Sequence, residues 1–169
     1  SNAYVLMLTG RDDEIDKIVG FKLGADDYVT KPFSPRELGV RIDALARRPR
    51  TPASGATEIN VGEVVIRPAA REVLVQDVEV ELTRIEFDLL ALFAGAPQQV
   101  FTRQQVLDQV WGENWYGDRH VIDVHIANLR RKLADHTDQN VIRTVRGGGY
   151  GLATMCIGVG QGIAVVLHA

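Results

Sequence analysis

Two side chains near the start of the sequence could together hold a phosphoryl group. Residues 4–10, "YVLMLTG", form a continuous apolar run that is typical of a buried parallel strand, and the run ends with Thr9 and a glycine. Residues 28–30 are β-forming, and Lys31 with Pro32 ends this second run, because proline cannot donate a ladder hydrogen bond. The carboxyl ends of parallel strands meet at one edge of a sheet, where anionic ligands bind. A hydroxyl and an ammonium group at that edge would grip a phosphoryl group.

The elements around these two residues are predicted in the order strand, helix, strand, helix. Apolar residues within 15–23 fall at helical spacing, and Gly24 stands where a helix would stop. Ser34 and Glu37 have the spacing of a capping box, with Pro35 at the first helical position of the second helix. Residues 4–48 are therefore predicted to be an α/β unit.

The stretch "LGADDYVTKPFSPREL", residues 23–38, resembles the receiver domain of two-component response regulators in its last two β/α units. The resemblance implies that Thr9 is the hydroxyl that turns toward the phosphoryl group. It implies that Lys31 pairs with that group through a cis bond to Pro32, and that Tyr28 is the switch aromatic.

A receiver also needs a phosphoacceptor aspartate on strands that precede this segment, yet only nine residues precede Gly10. Asp12 and Asp13 have the positions of first-turn helix acids. The four switch residues are therefore expected to be inactive in this chain, and a cognate histidine kinase is expected as a partner only in a full-length form. Residues 1–3, "SNA", resemble the scar of an expression tag and are excluded from the fold.

The receiver resemblance also implies a homodimer. In that family, active dimers form through the last helix-strand-helix stretch, and uncovered apolar surface would supply the affinity. The charged residues expected to set the register are Lys17, Lys22, Asp26, Asp27, Glu37, Arg41 and Asp43. The competing outcome is a disordered remnant tethered to a monomer.

Composition bounds the class of protein. The 169 residues are 46% hydrophobic and 24% charged, with no uninterrupted apolar run of membrane-spanning length. One cysteine excludes an internal disulfide and a multi-cysteine metal site, so we predict no metal and no cofactor. The absence of a signal peptide predicts a cytoplasmic protein without a membrane partner.

The charge is distributed unevenly. The net charge is −3, but residues 119–150 carry six basic and three acidic side chains, whereas residues 58–88 carry three basic and eight acidic ones. A local basic face is what nucleic-acid binding requires.

Residues 49–58 have the composition of a linker, and the region after them has strong local signals. Alternating apolar and polar residues predict an antiparallel meander of about four strands. Two capping boxes, Thr83 with Glu86 and Thr102 with Gln105, predict the starts of two helices. A third helix is predicted to begin after Asp118.

The third helix can be divided into faces. At 100° per residue, four apolar residues fall within about 60° and are predicted to face the core; they are Ile122, Ile126, Leu129 and Leu133. The opposite face would present His120, Val124, Ala127, Asn128 and Arg131, with Arg130 and Lys132 on its flanks. Small, amide and basic side chains suit a major groove, with Asn128 bonding adenine, but a merely solvated face has the same composition.

Two β-rich runs around three glycines, residues 141–152, predict a hairpin with Arg146 at its tip, suited to a narrow minor groove. Residues 59–152 resemble the winged-helix effector domain of the OmpR/PhoB class of regulators in "LTRIEFDLLALF", "VFTRQQVLDQVWG", "VIDVHIANLRRKL" and "IRTVRGGGY". The fold class expected is a receiver remnant followed by an α+β winged helix. The function expected is non-enzymatic: sequence-specific binding of double-stranded DNA through Arg119, His120, Val124, Ala127, Asn128, Arg130, Arg131, Lys132, Thr144 and Arg146.

The family also implies a contact with RNA polymerase through the loop after the second helix. Its residues are Gly112, Glu113, Asn114, Trp115, Tyr116, Gly117 and Asp118. The two aromatic residues of this loop could equally pack against the domain.

The last segment, residues 153–169, departs from the winged-helix pattern. "GLATMCIGVGQG" resembles the carboxyl-terminal part of thiolases, in which Cys156 and Gly158 would match a Cys-x-Gly motif. Thiolase chemistry needs a second cysteine, so the tail is interpreted as the product of a gene fusion, a frameshift or a cloning accident. A short membrane anchor is the alternative. Two other classes remain for the whole chain: an interaction module without specific DNA binding, and a thiolase-related protein.

Overall fold

The computed structural model describes residues 4–10, 25–46, 58–113, 115, 119–145 and 149–152. In the N-terminal region, residues 4–46, strands β1 (Leu6–Thr9) and β2 (Asp27–Thr30) pair in parallel, with Thr9 opposite Thr30. The amide of Lys31 donates to the carbonyl of Thr9 at 2.7 Å, and the bond from Lys31 to Pro32 is cis. The two predicted ligands of a phosphoryl group therefore do end neighbouring strands.

Helix α1 (Pro35–Ala46) follows this strand pair. The Ser34 hydroxyl accepts the amide of Glu37 at 3.0 Å, which is one half of the predicted capping box. The carboxylate of Glu37 pairs instead with Arg41, one helical turn further on, at 3.2 Å. The helix predicted within residues 15–23 lies outside the described residues.

The C-terminal region, residues 58–152, begins with the predicted four-stranded meander. Strands β3 (Ile59–Val61), β4 (Val64–Arg67), β5 (Glu72–Val75) and β6 (Val78–Glu79) are antiparallel neighbours in chain order. Gln76 and Asp77 connect β5 to β6 with φ values of 50° and 65°, as a two-residue hairpin turn requires. Alternate residues of β4 and β5 are buried, so this sheet has one face on the core.

Three helices and a hairpin complete the C-terminal region. Helix α2 (Arg84–Gly95) and helix α3 (Arg103–Val110) begin at the predicted capping boxes, both of which form in full. Helix α4 (Val121–Ala134) is the third. No helix in the described ranges is long and apolar enough to cross a membrane.

The hairpin consists of β8 (Ile142–Val145) and β9 (Gly149–Leu152), and β9 also pairs with the short strand β7 (Phe101–Thr102). A Cβ atom at Gly149 would lie 2.9 Å from the carbonyl oxygen of Phe101. Glycine is therefore required where β9 crosses β7. The hairpin tip, which includes Arg146, lies outside the described residues.

One hydrophobic core joins the meander, α2 to α4 and the hairpin. Every buried residue of this core lies between Val61 and Tyr150, and the largest buried side chain is the indole of Trp111. Among its described residues, the N-terminal region buries three apolar side chains, those of Ala25, Val29 and Leu45.

The two regions touch through polar and aromatic contacts. Trp111 Nε1 donates to the carbonyl of Asp26 at 3.1 Å. The guanidinium of Arg84 donates to the Tyr4 hydroxyl at 2.7 Å and lies 4.0 Å from the centre of the Tyr4 ring. Tyr28 is partly buried against the core of the C-terminal region. The N-terminal region thus rests on α2 and on the end of α3.

Candidate nucleic-acid interface

Helix α4 buries a wider face than the sequence indicates. The four predicted core residues are buried, and so are Val121, His125 and Asn128. Together the seven residues span about 160° at 100° per residue. The placement of Asn128 on the exposed face is wrong, since only 4% of it is exposed.

His125 explains much of this width. Its ring is fully buried and lies 5.7 Å from the ring of Trp111, tilted by 50°. Because the His125 imidazole packs against the Trp111 indole, α4 is also buried on a side where the apolar pattern predicts exposure. Asn128 lies at the edge of this covered flank, and its Nδ2 has no hydrogen-bond partner among the described residues.

The other residues predicted at the centre of the exposed face of α4 do lie on that face. Ala127 and Arg131 are exposed, and Val124 is half-buried. Arg119 and His120 stand at its N-terminal end and are exposed. Within the described residues, Arg131 makes no ion pair. This face therefore presents small side chains and an unneutralised guanidinium.

Lys132 points inward. Its ammonium lies 2.8 Å from the Glu86 carboxylate, which is almost fully buried, and 3.0 Å from the carbonyl of Glu81. Its long stem lets it reach the N-terminus of α2, where Glu86 completes the capping box. Its charge is therefore already paired within the chain, and its contact with a phosphate stays a prediction.

Arg130 joins α4 to the hairpin. Its Nε donates to the carbonyl of Ile142 at 3.0 Å, and its Nη2 donates to the Thr144 hydroxyl at 2.8 Å. Burial lowers the pKa of this guanidinium from its ordinary value. The two residues were predicted separately as DNA contacts, and the fold brings them together.

A second cluster lies at this junction, and the sequence patterns do not indicate it. The Asp123 carboxylate accepts the Tyr150 hydroxyl and the guanidinium of Arg103, the latter at 2.9 Å. The other carboxylate oxygen lies 3.4 Å from His120 Nδ1. These side chains come from the start of α3, the first turn of α4 and β9. They are far apart in sequence, so no local spacing could have revealed them.

The contacts of this cluster shift the pKa values of Asp123 and Tyr150. Burial is the largest influence on Asp123 and raises its pKa, but the hydrogen bonds from Tyr150 and Arg103 outweigh it, so the net pKa is lowered. Burial, followed by the hydrogen bond to Asp123, raises the pKa of Tyr150 to about 12. The carboxylate is therefore ionised and the phenol protonated over the physiological range.

The predicted dimer charges are largely used within one chain. Arg41 Nη1 lies 3.0 Å from Asp27, and the same guanidinium pairs with Glu37. Asp26 is buried, and its carboxylate accepts the amide of Val5 at 2.7 Å. An exposed position for Asp26 and Asp27 in a dimer interface is therefore wrong. Lys17 and Lys22 lie outside the described residues.

Known proteins resemble this chain in sequence and in fold. A family model described as "Transcriptional regulatory protein, C terminal" matches residues 77–152. The uncharacterised transcriptional regulatory protein YclJ of Bacillus subtilis is 46% identical over 154 residues, which cover 89% of this chain and 67% of that protein. The phosphate regulon transcriptional regulatory protein PhoB of Pseudomonas aeruginosa is 41% identical over 150 residues, covering 89% of this chain and 65% of PhoB.

A solved structure shares the fold of the C-terminal region. The RstA DNA-binding domain of Klebsiella pneumoniae, in complex with the RstA box, superposes with a TM-score of 0.53 at 33% identity. The match covers 59% of this chain and all of that domain. The chain belongs to the OmpR/PhoB class of DNA-binding transcriptional regulators. It spans about two thirds of the length of the curated relatives that it matches.

The winged helix of this OmpR/PhoB regulator carries the loop predicted to meet RNA polymerase. Gly112, Glu113 and Trp115 of that loop are described, and the Trp115 ring packs 6.0 Å from Trp111. Asn114 and residues 116–118 lie outside the described residues. The packing interpretation therefore holds for Trp115.

The tail of the chain has no support as a thiolase segment. The family match ends at Leu152, and residues 153–169 lie outside the described residues. The resemblance of this segment to a thiolase remains a prediction from sequence alone.

Proposed function

We propose that this OmpR/PhoB regulator reads double-stranded DNA with the exposed face of α4 in the major groove and the hairpin beside it as the wing. The observation that carries the proposal is the composition of that face, where Ala127 and Val124 can touch thymine methyl groups and Arg131 can meet a phosphate. The complex of the RstA domain with its DNA supports DNA as the ligand class.

Two cations near this face, Lys132 and Arg103, are already paired with carboxylates. Lys132 is neutralised by Glu86, and Arg103 by Asp123. Arg131 is left with an uncompensated charge at the centre of the exposed face among the described residues. It is therefore the cation of α4 with the most to gain from a phosphate.

The salt dependence of DNA binding tests whether Arg131 contacts a phosphate. We expect Arg131→Ala to weaken binding to specific and random duplexes alike and to reduce the slope of log K against log salt by about 1. Arg36→Ala, which removes an exposed guanidinium from α1, is the matched control and should leave the slope unchanged. Fluorescence anisotropy over a sodium chloride series gives both values. An unchanged slope in Arg131→Ala would remove α4 from the interface.

We propose further that the N-terminal region is the end of a receiver domain whose switch residues cannot work in this chain. Thr9 and Lys31 lie at the carboxyl ends of β1 and β2, whereas Asp26 and Asp27 lie at the opposite end of β2. Neither Asp26 nor Asp27 therefore shares the edge with this hydroxyl and ammonium. Incubation with acetyl phosphate should add no phosphoryl group, and a stable gain of one phosphoryl group by intact mass would contradict this.

Self-association of the N-terminal region is a third proposal. Val5 and Leu8 on β1, and Val40 and Ile42 on α1, are exposed apolar side chains that a second copy would bury. Ile42→Glu should then shift sedimentation equilibrium toward monomer at tens of micromolar. Val78→Glu is the matched control, because Val78 is 50% exposed and Ile42 49%. A wild-type monomer at that concentration would exclude the dimer.

The remaining partners follow from the family alone. RNA polymerase would meet the loop around Trp115, and a histidine kinase would act only on a full-length form. A cytoplasmic location stays a prediction. The interaction-module alternative is separated from the proposal by the salt series, because a module without DNA binding gives no salt-dependent signal.

A further inference from the structure

The Asp123 carboxylate lies where an acidic group should oppose DNA binding. It is in the first turn of α4, beside the proposed major-groove face, and 36% of its side chain is exposed. A negative charge near a phosphate backbone is repulsive, so its removal would ordinarily strengthen binding. The contacts of this carboxylate indicate a different role.

One carboxylate ties together three elements of the interface. Asp123 Oδ1 accepts Arg103 Nη2 at 2.9 Å and the hydroxyl of Tyr150. Arg103 Nη2 also lies 3.2 Å from that hydroxyl, so the three side chains close a triangle. The triangle fixes the start of α3, the first turn of α4 and strand β9 relative to one another.

Two guanidinium groups near the Tyr150 ring connect this triangle to the hairpin. The guanidinium carbon of Arg103 is 5.2 Å from the ring centre, and that of Arg130 is 6.0 Å away on the same ring. Arg130 in turn bonds the Ile142 carbonyl and Thr144 on β8. A network of contacts that includes Asp123 therefore joins both hairpin strands to α4.

We propose that Asp123 is a positioning residue for DNA binding, which sets the placement of the wing against α4 and without which binding weakens although a negative charge has been removed. The inference rests on the proposed DNA-binding function. Charge-assisted hydrogen bonds are among the stronger ones, so weakening the two that Asp123 accepts should let the hairpin shift against the helix.

Asp123→Asn in the full chain tests the proposal. We expect its dissociation constant for a duplex bound by the wild type to rise at least about tenfold, the loss of roughly one charged hydrogen bond. Asp108→Asn is the matched control, because it removes a half-exposed carboxylate from α3 that bonds only Gln104, at 2.8 Å, among the described residues. Its binding should be unchanged or tighter.

Two further variants separate positioning from general destabilisation. Tyr150→Phe loses only the hydroxyl and should weaken binding as Asp123→Asn does, while the double variant should be little worse than either single one. Asp123→Glu restores the charge and should recover part of the affinity. If Asp123→Asn does not fold, Tyr150→Phe alone decides the question, since it keeps the ring.

The outcomes are distinct. Unchanged or tighter binding by folded Asp123→Asn, or by Tyr150→Phe, would overturn the positioning role. Absence of salt-dependent binding by the wild type would instead overturn the proposed function.

Discussion

The N-terminal and C-terminal regions of this chain differ in the interactions that stabilise them. The C-terminal region encloses a single apolar core between a meander, three helices and a hairpin. In its described residues, the N-terminal region has a two-stranded parallel sheet and one helix, and several of its large apolar side chains are exposed. Two strands with so little buried surface are not expected to be stable alone.

The difference teaches that local order and local stability are separate properties. The N-terminal region has regular strands, a capped helix and paired charges, of which the exposed pair of Arg41 with Glu37 contributes only about 0–1 kcal/mol. The C-terminal region has in addition the burial that offsets conformational entropy. The same substitution made in both regions should therefore have unequal effects. The chain's two tryptophans, Trp111 and Trp115, both lie in the C-terminal region and report its unfolding, and Trp111 also bonds the carbonyl of Asp26.

Truncation of a buried leucine should give the largest contrast. Leu90 of α2 is fully buried in the core, and Leu90→Ala should lower the free energy of unfolding of the C-terminal region by about 2–5 kcal/mol. Leu45 of α1 is also buried, but Leu45→Ala should move the same transition by less than about 0.5 kcal/mol. Urea denaturation followed by tryptophan fluorescence measures both. Equal shifts would mean that the regions unfold as one unit.

Substitution of alanine for glycine should change stability in opposite directions in the two regions. A Cβ at Gly149 would meet the Phe101 carbonyl oxygen and a Val100 methyl group, both at 2.9 Å, so Gly149→Ala should cost about 1–3 kcal/mol. Gly39 in α1 has nothing within 4 Å of the same position, so Gly39→Ala should stabilise that helix by about 0.5–1 kcal/mol. Thermal unfolding followed by circular dichroism compares them. A stable Gly149→Ala protein would contradict the close crossing of β7 and β9.

Local signals predicted most of the elements of the fold. The capping boxes at Thr83 and Thr102 need only residues within one turn, and both form. The meander follows from alternation and from its turns. Such features depend on short-range physics, which a single sequence contains in full.

The site was harder to predict because its residues are arranged by packing. The apolar pattern places Asn128 on the exposed face, since it cannot show that His125 is buried against Trp111. The contacts among Arg103, Asp123 and Tyr150 join residues 20 to 47 positions apart. Only the tertiary fold brings them together.

Removal of helix caps should give a smaller contrast. Thr83→Ala breaks a complete capping box and should destabilise the C-terminal region by about 1 kcal/mol. Ser34→Ala removes the single cap bond to Glu37 and should leave the tryptophan transition in place. Amide exchange in the first turn of each helix shows whether each cap was lost. A shift of the tryptophan transition by Ser34→Ala would mean that α1 supports the core.

The ionisation of Tyr150 gives the finest test, because it reports one hydrogen bond in the C-terminal region. Burial and the bond to Asp123 raise the pKa of Tyr150 to about 12, from 10.0 for an unperturbed phenol. A raised pKa means that the native state holds its proton more tightly than the unfolded chain does. The stabilisation is therefore complete below pH 10.0 and is lost as the pH rises toward about 12.

Absorbance at about 295 nm, where phenolate absorbs, should show one of the four tyrosines ionising late. Tyr150→Phe should abolish that late component and flatten the alkaline loss of stability, because the group that loses its proton is gone. Tyr4→Phe, the matched change in the N-terminal region, should retain the late component. If the late component survives in Tyr150→Phe, another tyrosine is the buried donor, and the raised pKa does not report the bond from β9 to the first turn of α4.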